Sequence, residues 1–354
     1  MSSAHTQPAV YRPALAWFAA LGSAWVFVLV MLGAFTTTIG AGMAFADWPL
    51  SNGSINPHGW LSNVAMFAEH SHRLSATTMG IITIALAIWI ARVETRTWLR
   101  KLGWAAIAIV ILQGVLGGLR VKLNNWNPEA AEMSVGQLLR IPHGILAQIY
   151  VVVLFSISAA LSKSWIESSP RGLAASARVR RWGIVCTALV LVQLIIAATM
   201  RHFSAGLAIP TFPLTPEGTL IPTAWNFRIA IHFAHRAMAL LLTIALVGYA
   251  WIVWQERPAS VLLKNLAAAM LSCLALQICL GISIIWTLRD AYFTTAHVLV
   301  GALTLTVTFL LTWFAHRNLI ELDSDEARQI ASAPAIKTSE HSDLGAGRSP
   351  AASS

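Results

Sequence analysis

Four histidines near the starts of apolar segments form two matched pairs. His72 stands in the motif EHSHR, and His143 stands in RIPHGILAQ. Farther along the chain, His235 stands in HFAHR and His297 in TTAHVLVGA. Ionisable side chains inside apolar segments are costly, and they usually face a bundle interior or a cavity. All four imidazoles are therefore candidates for binding chemistry.

The placement of these histidines suits haem iron. Neutral imidazole is a common iron ligand, and the cores of helix bundles often hold cofactors. His72 and His143 stand on different segments of the N-terminal half, and His235 and His297 stand likewise in the C-terminal half. Two imidazoles from different helices can take the two axial positions of one iron. The sequence thus predicts two haem sites.

An arginine directly follows one histidine of each pair. Arg73 follows His72, and Arg236 follows His235. Guanidinium matches carboxylate geometry, so we expect both arginines to pair with haem propionates that point toward the outer surface. The alternative is that their long side chains extend to the membrane interface.

The two pairs belong to an internal duplication. The segment GAFTTTIGAGMAFADWPL, which starts at Gly33, aligns without gaps on AATMRHFSAGLAIPTFPL, which starts at Ala197. EHSHR aligns on HFAHR at nearly the same offset, and Gln113 and Gly117 align on Gln277 and Gly281. Each half holds an even number of apolar segments, so both should have the same orientation, related by an axis along the membrane normal.

The halves differ one helical turn before the first histidine of each pair. Glu69 stands there in the N-terminal half, and His232 takes its place in the C-terminal half. A carboxylate in the first turn of a helix is favoured by the helix dipole, which is one explanation. The other is that Glu69 lies beside the first haem pocket and interacts with a reacting or charged intermediate. The N-terminal half would then be the chemical site, and the C-terminal half would hold a cofactor.

The elements that carry these residues are predicted to be transmembrane helices. Of 354 residues, 56% are hydrophobic and only 11% are charged, whereas soluble domains carry about 25% charged residues. Eight apolar runs are each about long enough to cross a bilayer, and they lack the alternation of a β-barrel strand. They cover residues 14–38, 69–91, 103–121, 141–162, 182–200, 229–254, 262–286 and 291–315. We predict an all-α integral membrane protein with eight transmembrane helices, arranged as two tandem, pseudo-symmetric four-helix bundles.

Basic residues predict the topology. Two connections rich in Lys and Arg, after the second and fourth spans, are expected in the cytoplasm. The connection from Ile39 to Met66 has neither residue type, and we place it outside. Some basic residues nevertheless fall in connections that the even span count places outside: Arg120, Lys122, Arg140, Arg201 and Arg228. The net charge of +9 is spread over short loops, so we predict no nucleic-acid partner.

The domain organisation follows from the spans. We expect a cytoplasmic N-terminal segment (1–13), an N-terminal bundle (14–162), a cytoplasmic linker (163–181), a C-terminal bundle (182–316) and a disordered cytoplasmic tail (317–354). The predicted location is the cell inner membrane, as a multi-pass protein with both termini in the cytoplasm. The three cysteines, Cys186, Cys273 and Cys279, all lie within spans and leave no disulfide for the outer loops.

Together, these motifs resemble the haem A synthase family. The likeness rests on EHSHR, the PHG histidine, AHR and AHVLVGA within a duplicated eight-span chain. The resemblance implies oxidation of a ring methyl group of haem O to a formyl group by successive hydroxylations, giving haem A for terminal oxidases. It also implies that His235 and His297 ligate a haem b cofactor, that His72 and His143 bracket the substrate haem, and that Glu69 lies close to the chemistry.

The resemblance further implies partners. Haem O would come from a membrane haem O synthase, and electrons would pass to a membrane or quinone-linked acceptor, with a homo-oligomer left open. Some family members carry a pair of outer-loop cysteines, which this chain lacks, so a mechanism that needs those thiols does not carry over. Two alternatives stay open: a bis-histidine di-haem b electron-transfer cytochrome, and a haem transporter.

Overall fold

The computed structural model describes residues 10–129, 132–167, 175–256 and 260–321, and this part of the chain is helical without named strands. Eight of its helices are long and apolar enough to cross a membrane, which confirms the predicted fold class of an all-α, eight-span membrane protein. The helices are α1 (Pro13–Thr38), α2 (Val64–Val93), α3 (Thr97–Lys122), α4 (Val135–Leu138), α5 (Arg140–Leu161), α6 (Lys163–Ile166), α7 (Ala177–His202), α8 (Phe227–Gln255), α9 (Val261–Trp286) and α10 (Ala291–Ala315).

The helices that carry the four histidines are anchored at their outer ends by side-chain caps. Asn63 Oδ1 accepts hydrogen bonds from the first turn of α2, Asn226 does so for α8, and Asp290 does so for α10. The short helix α4, which leads into α5, starts with a capping box of Ser134 and Gln137. Such caps satisfy backbone N–H groups that have no partner inside the helix. The start of each histidine-bearing helix is thereby fixed.

Helix boundaries repeat along the chain in the predicted register. The offset that aligns Gly33 with Ala197 also carries both ends of α1 onto those of α7, and both ends of α3 onto those of α9. Within the first half, α1 packs on α2 and α5, and α3 completes the ring by packing on α2 and α5. The second half repeats this ring with α7, α8, α9 and α10, and α10 also packs on α1 and α5. These matches support the tandem-bundle organisation, which stays a prediction.

The main cluster of buried apolar residues lies mostly toward one end of the helices. Several of its members stand near the starts of the odd-numbered spans and toward the ends of the even-numbered ones, the ends predicted to face the cytoplasm: Leu15, Leu86, Leu99, Leu154, Leu246 and Met270. At the opposite end of the same helices the four histidines are half-buried. Each bundle is thus closely packed at one end and looser where its histidines lie.

Contacts between connections follow the alternation of spans. At the outer end, Arg201 of α7 donates to the Ala34 carbonyl and to Thr38 Oγ1, both at 2.7 Å. At the other end, the rings of Trp98, Trp165 and Trp313 pack together with centroids about 6 Å apart. Connections predicted on one side of the membrane therefore meet one another.

The structure adds detail at two predicted boundaries, which stay predictions. Residues 317–321 were expected in the disordered tail, but Arg317 is buried and its guanidinium donates to the Trp165 carbonyl at 2.5 and 2.9 Å. The predicted linker contains the short helix α6, and α7 begins at Ala177. The rest of the tail, the first nine residues and 168–174 lie outside the described residues.

Candidate haem sites

The C-terminal histidine pair has the separation that a shared iron requires. The ring centres of His235, on α8, and His297, on α10, are 6.5 Å apart, with an angle of 64° between their planes. Two metal–nitrogen bonds of about 2 Å each, plus the half-widths of two imidazoles, give about 6 Å. In the described part of the chain no three metal-binding side chains cluster. A pair of this kind suits an iron whose other ligands come from a porphyrin.

The N-terminal pair lies at the matching place. His72 lies on α2 and His143 on α5, the helices that correspond to α8 and α10 of the second half. The Nδ1 atom of each ring is buried and has no hydrogen-bond partner within the described chain. Buried polar atoms normally have partners, so these free nitrogens fit side chains prepared to bind something further.

Glycines make room for three of the four rings. A Cβ atom on Gly33 of α1 would lie 2.8 Å from His72 Cε1, closer than real Cβ atoms come. A Cβ on Gly281 would lie 3.2 Å from His297 Cε1, whereas one on the repeat-equivalent Gly117 would make ordinary contact with His143. Glycine at residue 33 is thus required by the ring of His72.

Arg73 fastens the first outer loop to α2. Its guanidinium donates to the backbone carbonyls of Phe45, Asp47 and Leu50 at 3.2, 2.8 and 2.5 Å. It also donates to Glu69 Oε1 at 2.6 Å. The other oxygen of Glu69, Oε2, accepts a hydrogen bond from the Phe45 backbone N–H at 3.1 Å. Glu69 is only 3% exposed, so its carboxylate is part of a buried loop anchor.

The C-terminal half repeats this anchor with a histidine in place of the carboxylate. Arg236 donates to the carbonyls of Ile209 and Thr211 at 2.8 and 2.6 Å, and its Nε lies 3.2 Å from His232 Nε2. His232 Nδ1 lies 3.2 Å from the Ile209 backbone N–H. Ile209 and Thr211 are the repeat equivalents of Phe45 and Asp47 in the gapless alignment of the two loops. A neutral imidazole has only one acceptor nitrogen, so His232 satisfies one of these two donors.

The structure therefore gives both arginines partners in the loops. The prediction that Arg73 and Arg236 pair with haem propionates stays a prediction, as does a role for Glu69 at a reacting group. Two further histidines lie at this end of the molecule. His70 contacts Ser51 Oγ through Nδ1 at 3.1 Å and is buried. His202 ends α7 and is half-buried.

Other outer arginines lie nearer the histidines than the sequence indicated. Arg140 stands three residues before His143 on nearly the same helix face, and its Nε is buried without a hydrogen-bond partner in the described chain. Arg140 Nη2 donates to Asn124 Oδ1 at 3.5 Å, and Arg120 donates to the Gly42 carbonyl. Both arginines stand out in the sequence as exceptions to the positive-inside rule, but the sequence does not indicate these partners.

Comparison with known proteins identifies the family of the chain. The family model described as cytochrome oxidase assembly protein matches residues 61–309, which include all four histidines. The chain belongs to this family. Proteins of similar sequence include the heme A synthase of Bacillus licheniformis, 29% identical with 77% of this chain and 86% of that protein covered. Others are the heme A synthases of Halalkalibacterium halodurans (26%, covering 85% and 97%) and Rhodospirillum centenum (24%, covering 82% and 84%).

Proposed function

We propose that this protein is a haem A synthase, an oxidoreductase that converts a methyl group of haem O to a formyl group by successive hydroxylations and supplies haem A for terminal oxidases. The observation that carries the proposal is the presence of two histidine pairs, on matching helices, in a chain of the cytochrome oxidase assembly protein family. Relatives along most of its length bear the name heme A synthase.

The two pairs are proposed to have different occupants. His235 and His297 would hold haem b from both sides of its iron, in agreement with their 6.5 Å separation. Haem b supplies a redox-active iron that carries one electron at a time. His72 and His143 would bracket haem O as substrate, with Glu69 near the reacting side of that pocket. The substitution of His232 for Glu69 in the second half supports this division.

The membrane environment completes the proposal. Eight apolar helices make this a multi-pass membrane protein. Location in the cell inner membrane with both termini in the cytoplasm is proposed from the basic connections after the second and fourth spans. Haem O would reach the outer-side pocket from a membrane haem O synthase, and the electrons removed from the methyl carbon would leave to a membrane or quinone-linked acceptor.

The direct test is pigment analysis. The protein is produced in a host that lacks its own haem A synthase, with and without a co-expressed haem O synthase, and the haems of the purified protein are separated by chromatography. We expect haem b in both samples, and haem A or a hydroxylated haem O only where haem O is supplied. Two haem b groups per chain and no oxidised haem O would instead favour the electron-transfer cytochrome.

Histidine variants test the assignment of the halves. His235→Ala and His297→Ala should each remove most of the haem b absorption, because a single axial imidazole would remain. His72→Ala and His143→Ala should keep that absorption and lose haem A formation. Normal haem b absorption in both C-terminal variants would show that the halves have been assigned the wrong way round.

A further inference from the structure

A glutamine amide holds the ring of one C-terminal histidine. Gln193, on α7, places its Nε2 3.1 Å from His235 Nδ1 and 3.1 Å from the His235 carbonyl oxygen. The side chain is almost fully buried, with 9% of the residue exposed. Gln277 makes a related contact, with its Nε2 3.2 Å from His297 Nε2. Both imidazoles proposed to hold haem b therefore touch an amide.

The N-terminal half lacks these contacts to the rings. The alignment of the two halves places Leu29 of α1 where α7 has Gln193. Gln113 corresponds to Gln277, but its Nε2 donates to the His143 backbone carbonyl at 3.0 Å instead of to the ring. The ring of His72 contacts the Leu29 backbone, but the leucine side chain has no polar atom that could hold the ring as the Gln193 amide does. No hydrogen bond joins the ring of His72 or His143 to another side chain of the described residues.

Hydrogen bonds from side-chain amides can orient histidine rings that bind metal. A histidine that binds metal through one ring nitrogen usually makes a hydrogen bond through the other, which fixes the ring, and loss of that partner costs about 10- to 100-fold in affinity. An iron on His235 Nε2 leaves the proton on Nδ1, which then needs an acceptor. Gln193 Oε1 is buried and has no partner in the described chain. Rotation of the amide by half a turn would offer this oxygen to the Nδ1 proton, in exchange for the hydrogen bond that Nε2 now donates to the His235 carbonyl.

Resting on the function proposed above, we infer that Gln193 is a positioning residue that makes the C-terminal pair a permanent haem site, while Leu29 leaves His72 free to exchange its haem. The alternative is that Gln193 only packs α7 on α8 through its bond to the His235 carbonyl. A packing role predicts changes in thermal stability. It does not predict a change in the iron itself.

The experiment compares Gln193→Leu, which copies Leu29, with the wild type and with Gln113→Leu as the matched control. Purified protein made without haem O is mixed with excess apomyoglobin, and haem transfer is followed by absorbance, while the reduction potential of haem b is measured by redox titration. We expect Gln193→Leu to release haem b about 10- to 100-fold faster and to change its potential. Gln113→Leu should behave as wild type in both measurements. Unchanged release and unchanged potential in Gln193→Leu overturn the inference.

A second variant keeps the test decisive if Gln193→Leu yields no folded protein. Gln193→Glu has the same size and offers His235 a charged acceptor, so it should retain haem b with a lower potential, because a stronger hydrogen bond makes the imidazole a more basic ligand. A potential equal to wild type refutes the role of residue 193. Neither measurement needs haem O. If the Gln193 variants show these effects but the wild-type protein never forms haem A, only the proposed function is refuted. If the wild-type protein forms haem A and the Gln193 variants release haem b at the wild-type rate, only this inference is refuted.

Discussion

The buried anchor at Glu69 gives a prediction whose magnitude follows from the structure. Glu69 Oε1 lies 2.6 Å from the Arg73 guanidinium, and the two side chains are only 4% and 15% exposed. Its Oε2 accepts from the Phe45 N–H. In Glu69→Gln, one of these positions becomes an NH2 group that faces a donor. Breaking a buried ion pair costs about 3–5 kcal/mol of stability. Arg73 keeps its hydrogen bonds to the loop carbonyls in this variant, so the loss is smaller. We expect the free energy that holds the loop closed to fall by about 2 kcal/mol, near the value of a hydrogen bond to a charged group.

Hydrogen exchange measures this cost directly. About 2 kcal/mol corresponds to a roughly 30-fold larger fraction of open loop, so amides of residues 41–51 in Glu69→Gln should exchange about 30-fold faster, as followed by mass spectrometry. Glu132→Gln is the matched control, because Glu132 pairs with Arg228 at the same end of the molecule but both side chains are more than half exposed. Exchange of residues 41–51 that stays at the wild-type rate in Glu69→Gln would refute the anchor.

A histidine swap separates anchoring from chemistry. Glu69→His reproduces the arrangement found at His232, so the loop should stay partly anchored while the carboxylate is lost. Haem A formation at the wild-type rate in this variant would show that the carboxylate has no part in the reaction. In the reverse variant, His232→Glu, the donor that His232 leaves unsatisfied gains an acceptor, and residues 205–211 should exchange about fivefold more slowly, from about 1 kcal/mol of added hydrogen bonding.

Two further predictions concern the second pocket and the first loop. Gly281→Ala places a methyl group 3.2 Å from His297 Cε1, so it should displace the ring and lower haem b occupancy severalfold in absorbance titrations, whereas Gly248→Ala, with open space around it, should leave occupancy unchanged. A hydrogen bond from the Gly53 N–H, partly offset by burial, leaves the pKa of Asp47 below its ordinary value. The ionised carboxylate therefore stabilises the loop above about pH 4, and this stabilisation is lost as pH falls through the lowered pKa. Amide exchange of residues 47–53, corrected for the intrinsic exchange rate, should accelerate in acid in the wild type. In Asp47→Asn the corrected rate should not depend on pH.

The sequence was sufficient for the helices, and it erred mainly at their ends. Helices α2, α3 and α7 begin five or six residues before the apolar runs, since they start at Val64, Thr97 and Ala177 rather than at 69, 103 and 182. The first turns of α3 and α7 contain charged residues, such as Arg100 and Arg181, whereas the residues that α2 adds, Val64 to Ala68, are all apolar and were simply left out of the predicted span. For α3 and α7 the reason is physical. Hydropathy detects only the part of a helix in hydrocarbon, whereas the helix continues into the interface, where long basic side chains reach water.

The histidine pairs could be found in the sequence because they recur at matched positions in both halves. The partners of Arg73 and Arg236 could not. Each arginine donates to backbone carbonyls of a loop more than twenty residues away. Because every residue has a backbone carbonyl, no pattern of side chains predicts such a contact. The role of Gln193 was hidden for a related reason. The alignment of the two halves matches Gln113 with Gln277, which marks that position as repeated. Gln193 is aligned with Leu29, so the repeat did not mark residue 193.

The differences between the halves lie in side chains set on a repeated backbone. In the N-terminal half the loop is held by an ion pair at Glu69, and the ring of His72 has no side-chain partner in the described chain. In the C-terminal half the loop anchor at His232 is neutral, and the ring of His235 is held by Gln193. Both halves thus anchor their loops, but the first leaves the ring of His72 without a side-chain partner, and the second holds the ring of His235 through Gln193. A substrate that must leave needs the first arrangement, since a fixed ligand would retain it, and a permanent cofactor needs the second.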